Sequence, residues 1–206
     1  MKNEGTILYI RIPRTGGTSI SLAASGSSRL VSFKHEPLSS ILLRRPDLAV
    51  AWVFTVVRNP FDWLVSVYHH LRENPQRDAR GVVEGKDFRQ YAEWATSGDA
   101  PLIVDDEPSY KRSYASPQVE WVRLYREEPA LTVNSLGRFE TIERDAGELL
   151  AELGLPRALE KTNGSKRGPY REYYDRALRE RVARFYTEDL DRFGYSFGGS
   201  PRASTS

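Results

Sequence analysis

The sequence predicts an α/β fold: a single domain in which a central, mostly parallel sheet is flanked by helices. Short apolar segments rich in β-forming residues alternate with helical segments, an order typical of parallel sheets. Residues 51–57 (AWVFTVV) are almost continuously apolar, as expected for a strand covered on both faces. A length of 206 residues suits one domain, which we place at 1–195, with 196–206 as a disordered tail.

Local patterns predict the individual elements. Residues 6–12 (TILYIRI) are rich in β-forming residues and end at Pro13. Proline fits the first turn of a helix, so Pro60 opens a helix over 60–73, in which apolar residues recur at helical spacing. Besides these and 51–57, the predicted strands are 30–33 and 131–133. The other predicted helices are 18–24 (N-cap Thr15 or Thr18), 37–45, 86–96, 117–126, 141–153 and 170–193.

The composition limits the classes of function. Of 30 lysines and arginines only six are lysine, so 24 are arginine, whose planar charged fork suits phosphate and sulfate oxygens. The formal net charge of +2 does not favour a nucleic-acid partner. The absence of cysteine excludes disulfides and thiolate chemistry, and the three histidines lack the spacing of a zinc site.

The sequence also predicts where the protein works. It has no run of about 18 apolar residues, the length that crosses a bilayer. Residues 1–6 lack the apolar core of a signal peptide. We therefore expect a cytoplasmic protein with no membrane partner and no metal. Nothing in the sequence indicates an oligomeric state.

The stretch RIPRTGGTS joins the first strand to the first helix and predicts an anion-binding loop. Gly16 and Gly17 allow backbone angles closed to other residues and let a ligand approach the main chain. Amides at a helix start carry partial positive charge. Thr18 and Ser19 add hydroxyls there, and Arg14 adds a full charge. The stretch departs from the common phosphate loop GxxxxGK[ST]. A tight turn without a ligand is the alternative interpretation.

The stretch VVRNPFDWLVSVYHH repeats this arrangement, with Arg58 at the end of strand 51–57 and a proline-opened helix after it. Ser66 shares a stripe of that helix with Asp62 and His70, away from the apolar face. Arg58 and Ser66 therefore predict a second anion-binding position beside the first. Two such positions indicate a ligand with two separate phosphates.

Together these stretches resemble the two nucleotide-binding motifs of the sulfotransferases that use 3′-phosphoadenosine-5′-phosphosulfate (PAPS). The resemblance is to the branch typified by heparan sulfate 2-O-sulfotransferases and their small bacterial relatives. It extends, in the same order along the chain, to SPQVEW, GRFE, NGSKRGPYREYY and DLDRFGYSF. It implies a P-loop-like sulfotransferase fold and a reaction that requires no metal.

The resemblance implies roles for individual residues. Residues 14–19 match the loop that binds the 5′-phosphosulfate, and Arg14 stands where the family commonly has lysine. Arg58 and Ser66 match the pair that holds the 3′-phosphate. Residues 165–168 match a basic loop that closes over the nucleotide. The implied nucleotide contacts are Arg14, Thr15, Gly16, Gly17, Thr18, Ser19, Arg58, Ser66, Ser165, Lys166, Arg167 and Gly168.

The reaction also needs a base and an acceptor pocket. Histidine titrates near neutral pH, which suits a general base. His35, in SFKHEP, resembles the catalytic histidine of the heparan sulfate enzymes, and the adjacent Glu36 is the alternative. The predicted catalytic residues are His35, Arg14 and Glu36. The predicted acceptor-binding residues, which ordinary packing explains equally well, are His70, Tyr110, Tyr114, Gln118 and Trp121.

The predicted function is transfer of a sulfuryl group from PAPS to a hydroxyl of a metabolite, a sugar or a peptide. The sequence does not identify the acceptor. Two alternatives stay open. One is a P-loop kinase-like phosphotransferase, which would depend on magnesium. The other is a non-catalytic domain that binds PAPS or its desulfated product, 3′,5′-ADP (PAP).

Overall fold

A computed structural model of the chain describes residues 5–74, 82–100, 114–124, 133–155, 159 and 167–199. These residues form two compact units. The first unit contains residues 5–58, 120–124, 133–155 and 159. The second unit contains residues 59–74, 82–100, 114–119 and 167–199.

The secondary structure of the described residues follows the predicted alternation of strands and helices. The strands are β1 (Thr6–Ile10), β2 (Leu30–Val31), β3 (Val50–Val57) and β4 (Ser135–Arg138). The α-helices are α1 (Gly17–Ala23), α2 (Leu38–Arg44), α3 (Pro60–Glu73), α4 (Phe88–Ala95), α5 (Ile142–Glu152), α6 (Arg176–Phe185) and α7 (Thr187–Phe193). Short 3₁₀ helices span Gln118–Trp121, Phe139–Thr141 and Tyr170–Tyr173. Over these ranges, no helix combines the length and apolar character needed to cross a membrane.

The described strands form one sheet in the first unit, with the order β2-β1-β3-β4. Every neighbouring pair is parallel, which confirms the predicted parallel sheet. The chain places β2 on one side of β1 and β3 on the other, so the strand order reverses between β1 and β3. In open parallel sheets, ligands bind outside the carboxyl ends of the strands at this switch point. The loops that leave β1 and β3 are therefore the first place to look for a site.

One face of the sheet packs against α1 and α5. Side chains of β1 and β3 alternate between the faces, so residues two apart lie on the same side. The rings of Tyr9 and Phe54 pack with centroids 5.4 Å apart. The buried residues of this core are Ile7, Tyr9, Ile20, Phe54, Val56, Ala146 and Leu149. This core fixes the end of β1 against the start of α1.

The second unit packs its helices around an aromatic core. The ring of Tyr68, on α3, lies 5.6 Å from that of Phe88 and 5.5 Å from that of Tyr91, both on α4. A capping box begins α4, because the Asp87 side chain accepts a hydrogen bond from Gln90 N and the Gln90 side chain accepts one from Asp87 N. The ring contacts pack α3, the helix that follows β3, against α4.

The fourth strand begins later in the chain than predicted. Val133, the one described residue of the predicted strand 131–133, lies before β4. Asn134 anchors the strand to β3: its backbone N–H donates to Val53 O at 2.9 Å, and its Oδ1 accepts from Val53 N at 2.7 Å. These tertiary contacts, rather than the β-propensity of the apolar residues before them, set the register.

The predicted final helix over 170–193 is interrupted twice. Tyr174 is extended (φ −118°, ψ 124°), and the Asp175 side chain accepts from Leu178 N at 2.8 Å and starts α6. Tyr186 (φ −97°, ψ 26°) then separates α6 from α7. A strong N-cap inside a helical pattern was the local signal for the first interruption.

The predicted helix over 117–126 is reduced to the 3₁₀ helix that begins at Gln118; residues 125 and 126 lie outside the described residues. The buried carboxylate of Asp189 accepts hydrogen bonds from Gln118 N at 2.7 Å and Val119 N at 2.8 Å. A side chain distant in sequence therefore caps this turn, which no local pattern could indicate.

Residues 196 and 197, just past the boundary that we placed at residue 195, form contacts within the second unit, and the boundary itself stays a prediction. Asn59 Nδ2 donates to Ser196 O at 2.9 Å, and the ring of Phe197 lies edge-on to that of Phe61, 5.0 Å away. Residues 200–206 lie outside the described residues.

Candidate active site

The loop between β1 and α1 leaves the sheet at the switch point. Arg14 has a φ of 63°, in the left-handed region that non-glycine residues rarely adopt. Thr15 is buried, and its Oγ1 donates to Ile12 O at 2.9 Å. The N-cap of α1 is Gly16, with a φ of 84°, rather than Thr15 or Thr18 as the sequence suggested. Such local strain persists where the surroundings hold it in place, and it is common at ligand sites.

A side chain at Gly16 or Gly17 would crowd the neighbouring side chains. A Cβ on Gly16 would lie 2.3 Å from Ile142 Cδ1 and 3.5 Å from Phe139 Cδ2. A Cβ on Gly17 would lie 3.0 Å from Arg11 Nε. The first glycine lets the loop pack directly on the residues around the start of α5. The second leaves space for the Arg11 side chain.

Two buried donors face Gly17. The Tyr9 hydroxyl and Arg11 Nε lie 3.5 Å and 3.0 Å from the position of a Gly17 Cβ, and neither has a hydrogen-bond partner among the described residues. Burial raises the pKa of Tyr9, so its hydroxyl keeps its proton. Thr18 is exposed at the same turn, whereas Ser19 is nearly buried. A concentration of N–H and O–H donors fits an oxyanion such as phosphate or sulfate.

Arg58 follows β3 and is only 6% exposed. Its Nη1 donates to Arg14 O at 3.0 Å, and its guanidinium carbon lies 3.9 Å from the centre of the Phe139 ring. A buried cation is costly unless its surroundings compensate the charge, and a carbonyl oxygen and an aromatic face both do so. The two loops that carry the predicted anion contacts are thus joined directly, through Arg58 and Arg14.

His35 follows β2, at the same edge of the sheet as the β1–α1 loop. Its Nδ1 lies 2.8 Å from Arg11 O. Because a carbonyl oxygen can only accept, Nδ1 donates the proton, and in the neutral ring the lone pair is on Nε2. The preceding residue, Lys34, has a φ of 50°. The strained backbone and the hydrogen bond together fix the orientation of the imidazole.

Glu36, the alternative base, is engaged with α2. Its Oε1 accepts a hydrogen bond from Ser40 Oγ at 2.9 Å and forms an ion pair with Arg44. The Glu36 side chain is almost completely buried, whereas that of Arg44 is largely exposed. Its contacts therefore resemble those of a structural anchor for α2 more than those of a base.

The second unit contains the other predicted nucleotide contacts. Ser66 is buried on α3. Arg167 forms an ion pair with Asp62, and their side chains are only 9% and 17% exposed. Gly168 is exposed, and a Cβ there would meet Glu172 Oε2 at 2.8 Å. Ser165 and Lys166 lie outside the described residues.

The residues predicted to bind the acceptor differ in exposure. The rings of His70 and Tyr114 are half-buried, with centroids 6.4 Å apart. Gln118 and Trp121 are completely buried, so both side chains are packed inside the protein. Tyr110 lies outside the described residues. The roles of these residues stay predictions.

Sequence reasoning missed two residues that contact the predicted anion-binding loops of the first unit. Phe139 packs against both Arg58 and the Gly16 backbone, and Arg11 places a donor beside Gly17. In the second unit, Asp62 was given no partner from the sequence, and it forms an ion pair with Arg167. Phe139 lies in the GRFE stretch, to which the sequence analysis assigned no role. The contacts of Phe139 are with residues distant in the sequence, so they become visible only once the order of the strands is known.

The geometry defines an α/β protein whose sheet presents cations and glycine-rich backbone at its switch point, an arrangement typical of proteins that bind phosphorylated ligands. The chain belongs to the sulfotransferase family, whose sequence model matches residues 1–196. None of the curated proteins matches the chain significantly.

A solved structure supports the fold. The crystal structure of a sulfotransferase from Alicyclobacillus acidocaldarius matches with a TM-score of 0.56 and 13% sequence identity, over 92% of this chain and 94% of that chain. At this identity, the likeness shows a sulfotransferase fold. The finer resemblance to the heparan sulfate 2-O branch stays a prediction.

Proposed function

We propose that the protein transfers a sulfuryl group from PAPS to the hydroxyl of an acceptor. The observation that carries the proposal is the contact between Arg58 and the Arg14 carbonyl at the switch point. It brings together two loops, each of which matches a phosphate-binding motif of the family. A ligand with phosphates at its 3′ and 5′ positions would use both loops at once.

Members of the family generally use PAPS as the donor. The residues present suit its 5′ end, because Gly16 and Gly17 expose backbone and the Tyr9 and Arg11 donors lie beside them. Arg58 would bind the 3′-phosphate. Ser66 and Arg167, in the second unit, are proposed as further contacts on the strength of the resemblance alone.

PAPS supplies a sulfuryl group bonded to an oxygen of its 5′-phosphate. In the proposed reaction the acceptor oxygen forms a bond to sulfur while the bond between sulfur and that bridging oxygen breaks. The bridging oxygen leaves on 3′,5′-ADP. Arg14 and the loop amides would offset the negative charge that develops on it, a role that commonly dominates enzymatic rate enhancement.

We assign His35 as the base that takes the acceptor proton. With its Nδ1 proton donated to Arg11 O, the neutral ring would accept the proton at Nε2. Glu36 is a less suitable base, because Ser40 and Arg44 already engage its Oε1.

The test is incubation of the protein with PAPS labelled with ³⁵S and a panel of sugar, phenol and peptide hydroxyls, in the presence of a chelator. We expect label in an acceptor and release of 3′,5′-ADP. Phosphate transfer from ATP that stops with the chelator would support the phosphotransferase alternative instead. Saturable binding of 3′,5′-ADP without transfer to any acceptor would support the non-catalytic alternative.

A further inference from the structure

We infer that Phe139 is a positioning residue that directs the Arg58 guanidinium toward the 3′-phosphate and ties its orientation to the shape of the β1–α1 loop. The inference rests on the proposed function, because it assumes that Arg58 binds this phosphate. It adds a role for Phe139, a residue of the 3₁₀ helix Phe139–Thr141 whose own side chain has neither a charge nor a nucleophilic atom.

The first observation is the stack itself. The guanidinium carbon of Arg58 lies 3.9 Å from the Phe139 ring centroid, well inside the distance of about 6 Å at which a cation and a ring attract each other. At 6% exposure Arg58 is desolvated, and the attraction is stronger there than at a surface. Stacking occupies a face of the guanidinium and leaves its N–H groups in the plane, where a phosphate is best bound.

The second observation is that Phe139 contacts the other loop as well. A Cβ on Gly16 would lie 3.5 and 3.6 Å from two of its ring carbons, so the ring packs closely against this backbone. Arg58 in turn donates to the carbonyl of Arg14, two residues earlier in the same loop. Phe139, Arg58 and the loop therefore form a closed set of contacts within the first unit.

A consequence follows for the ligand. An arginine has many rotamers, and holding one of them before binding lowers the entropic cost of the phosphate contact. Without the ring, Arg58 would keep its charge and its hydrogen bond to Arg14 O, but its guanidinium would be held less firmly in one direction. The loss should concern mainly the 3′-phosphate, because the ring stacks on Arg58, the residue proposed to bind that phosphate.

The experiment compares two ligands by calorimetry: 3′,5′-ADP and 5′-AMP, which lacks only the 3′-phosphate. Wild-type protein should bind 3′,5′-ADP much more tightly. Phe139→Leu should weaken 3′,5′-ADP about tenfold more than it weakens 5′-AMP, the order expected for a desolvated cation–π contact. Phe139→Tyr, which keeps the aromatic face, should restore the wild-type ratio of affinities.

Two further variants control the result. Ile142→Val trims the other side chain against Gly16 without touching the stack, so it should change the affinity for both ligands alike. In an Arg58→Lys background, which lacks the planar guanidinium, Phe139→Leu should no longer change the ratio. Circular dichroism on each variant establishes that it is folded.

Equal weakening of both ligands by Phe139→Leu in folded protein would overturn the role of Phe139 while leaving the proposed function intact. A full effect of Phe139→Leu in the Arg58→Lys background would overturn it too. If wild-type protein binds 3′,5′-ADP no more tightly than 5′-AMP, the proposed function itself fails, and this inference with it.

Discussion

The strand ends of the first unit and the aromatic core of the second unit use polar residues in opposite ways. In the first unit, Arg58 and His35 each donate a hydrogen bond to a backbone carbonyl of the segment after β1. Arg14 and Lys34, in the same loops, hold left-handed backbone angles. In the second unit, Asp175 and Asp189 cap helices and turns. Polar groups there stabilise the fold.

This contrast indicates which of the two regions is the better place to search for functional residues. Helix caps lower the free energy of the folded chain and need no further explanation. Strained backbone and a buried cation raise it, and they persist where the surrounding structure imposes them, as at binding sites. The following predictions test this contrast between the two units, beginning with the largest effect.

Removing the imidazole of His35 should produce the largest loss. A general base contributes a factor of about 10² to 10⁴ in rate, and this is the role proposed for His35. We expect His35→Ala to lower kcat by such a factor with any acceptor found in the PAPS assay. Binding of 3′,5′-ADP, measured by calorimetry, should stay at the wild-type value, because the base touches the acceptor. Full turnover of His35→Ala would contradict the base assignment.

Removing the charge of Arg58 should weaken nucleotide binding. Truncating one partner of a buried, hydrogen-bonded charge contact costs about 2–5 kcal/mol. We therefore expect Arg58→Ala to bind 3′,5′-ADP at least about 30-fold more weakly. Arg45→Ala is the matched control, because Arg45 is exposed and pairs with exposed Asp47. Equal affinities of Arg58→Ala and Arg45→Ala would remove Arg58 from the binding site.

Alanine substitutions at two glycines distinguish the cost of backbone strain from the cost of side-chain crowding. Gly16 in the first unit and Gly98 in the second both have positive φ, 84° and 92°, but a Cβ on Gly98 would meet nothing within 4 Å. We expect Gly98→Ala to cost about 1–2 kcal/mol of unfolding free energy, from the backbone alone. Gly16→Ala should cost up to about 1 kcal/mol more, because the terminal methyl of Ile142 must rotate away from the new Cβ. Urea unfolding measures both values.

Gly26→Ala completes the comparison, since a Cβ on that exposed glycine meets nothing and its φ is not positive. It should change the unfolding free energy little. Equal costs for Gly16→Ala and Gly98→Ala would mean that the loop yields to a side chain. The packing of Ile142 and Phe139 against Gly16 would then contribute nothing to the requirement for glycine at this position.

The sequence predicted the sheet and the position of the candidate site because both depend on local patterns. The apolar run of β3 predicts a buried strand, and the proline at the start of α3 predicts a helix. Gly16 and Arg58 stand out as candidate ligand contacts because each follows a predicted strand. The parallel order then follows from the alternation of elements.

The remainder depends on distant contacts. Asn134 fixes the register of β4 through Val53, and Asp189 caps a turn that lies far earlier in the chain. Phe139 acquires its position only when β4 pairs with β3. Such contacts have no signature in a window of neighbouring residues.

The smallest effect concerns the pH dependence of stability, and it comes from His69. His69 lies in the second unit, with its Nε2 2.8 Å from the Tyr173 hydroxyl. Burial, and then the charge of Arg167, lowers the pKa of His69 below its usual 6.5. The unfolded chain therefore takes up this proton at a higher pH than the folded protein does. As a result, the free energy of unfolding should fall as the pH drops through about 6.5.

We expect His69→Asn to make this fall shallower between about pH 7 and pH 5, because the unfolded chain loses the group that takes up the proton. Urea unfolding at a series of pH values measures the slope. His70→Asn, on the same helix, shows how much the loss of any imidazole from α3 changes it. Parallel curves for wild type and His69→Asn would show that His69 gains its proton equally in both states. Burial beside the Tyr173 hydroxyl and the charge of Arg167 would then not disfavour the protonated imidazole in the folded protein.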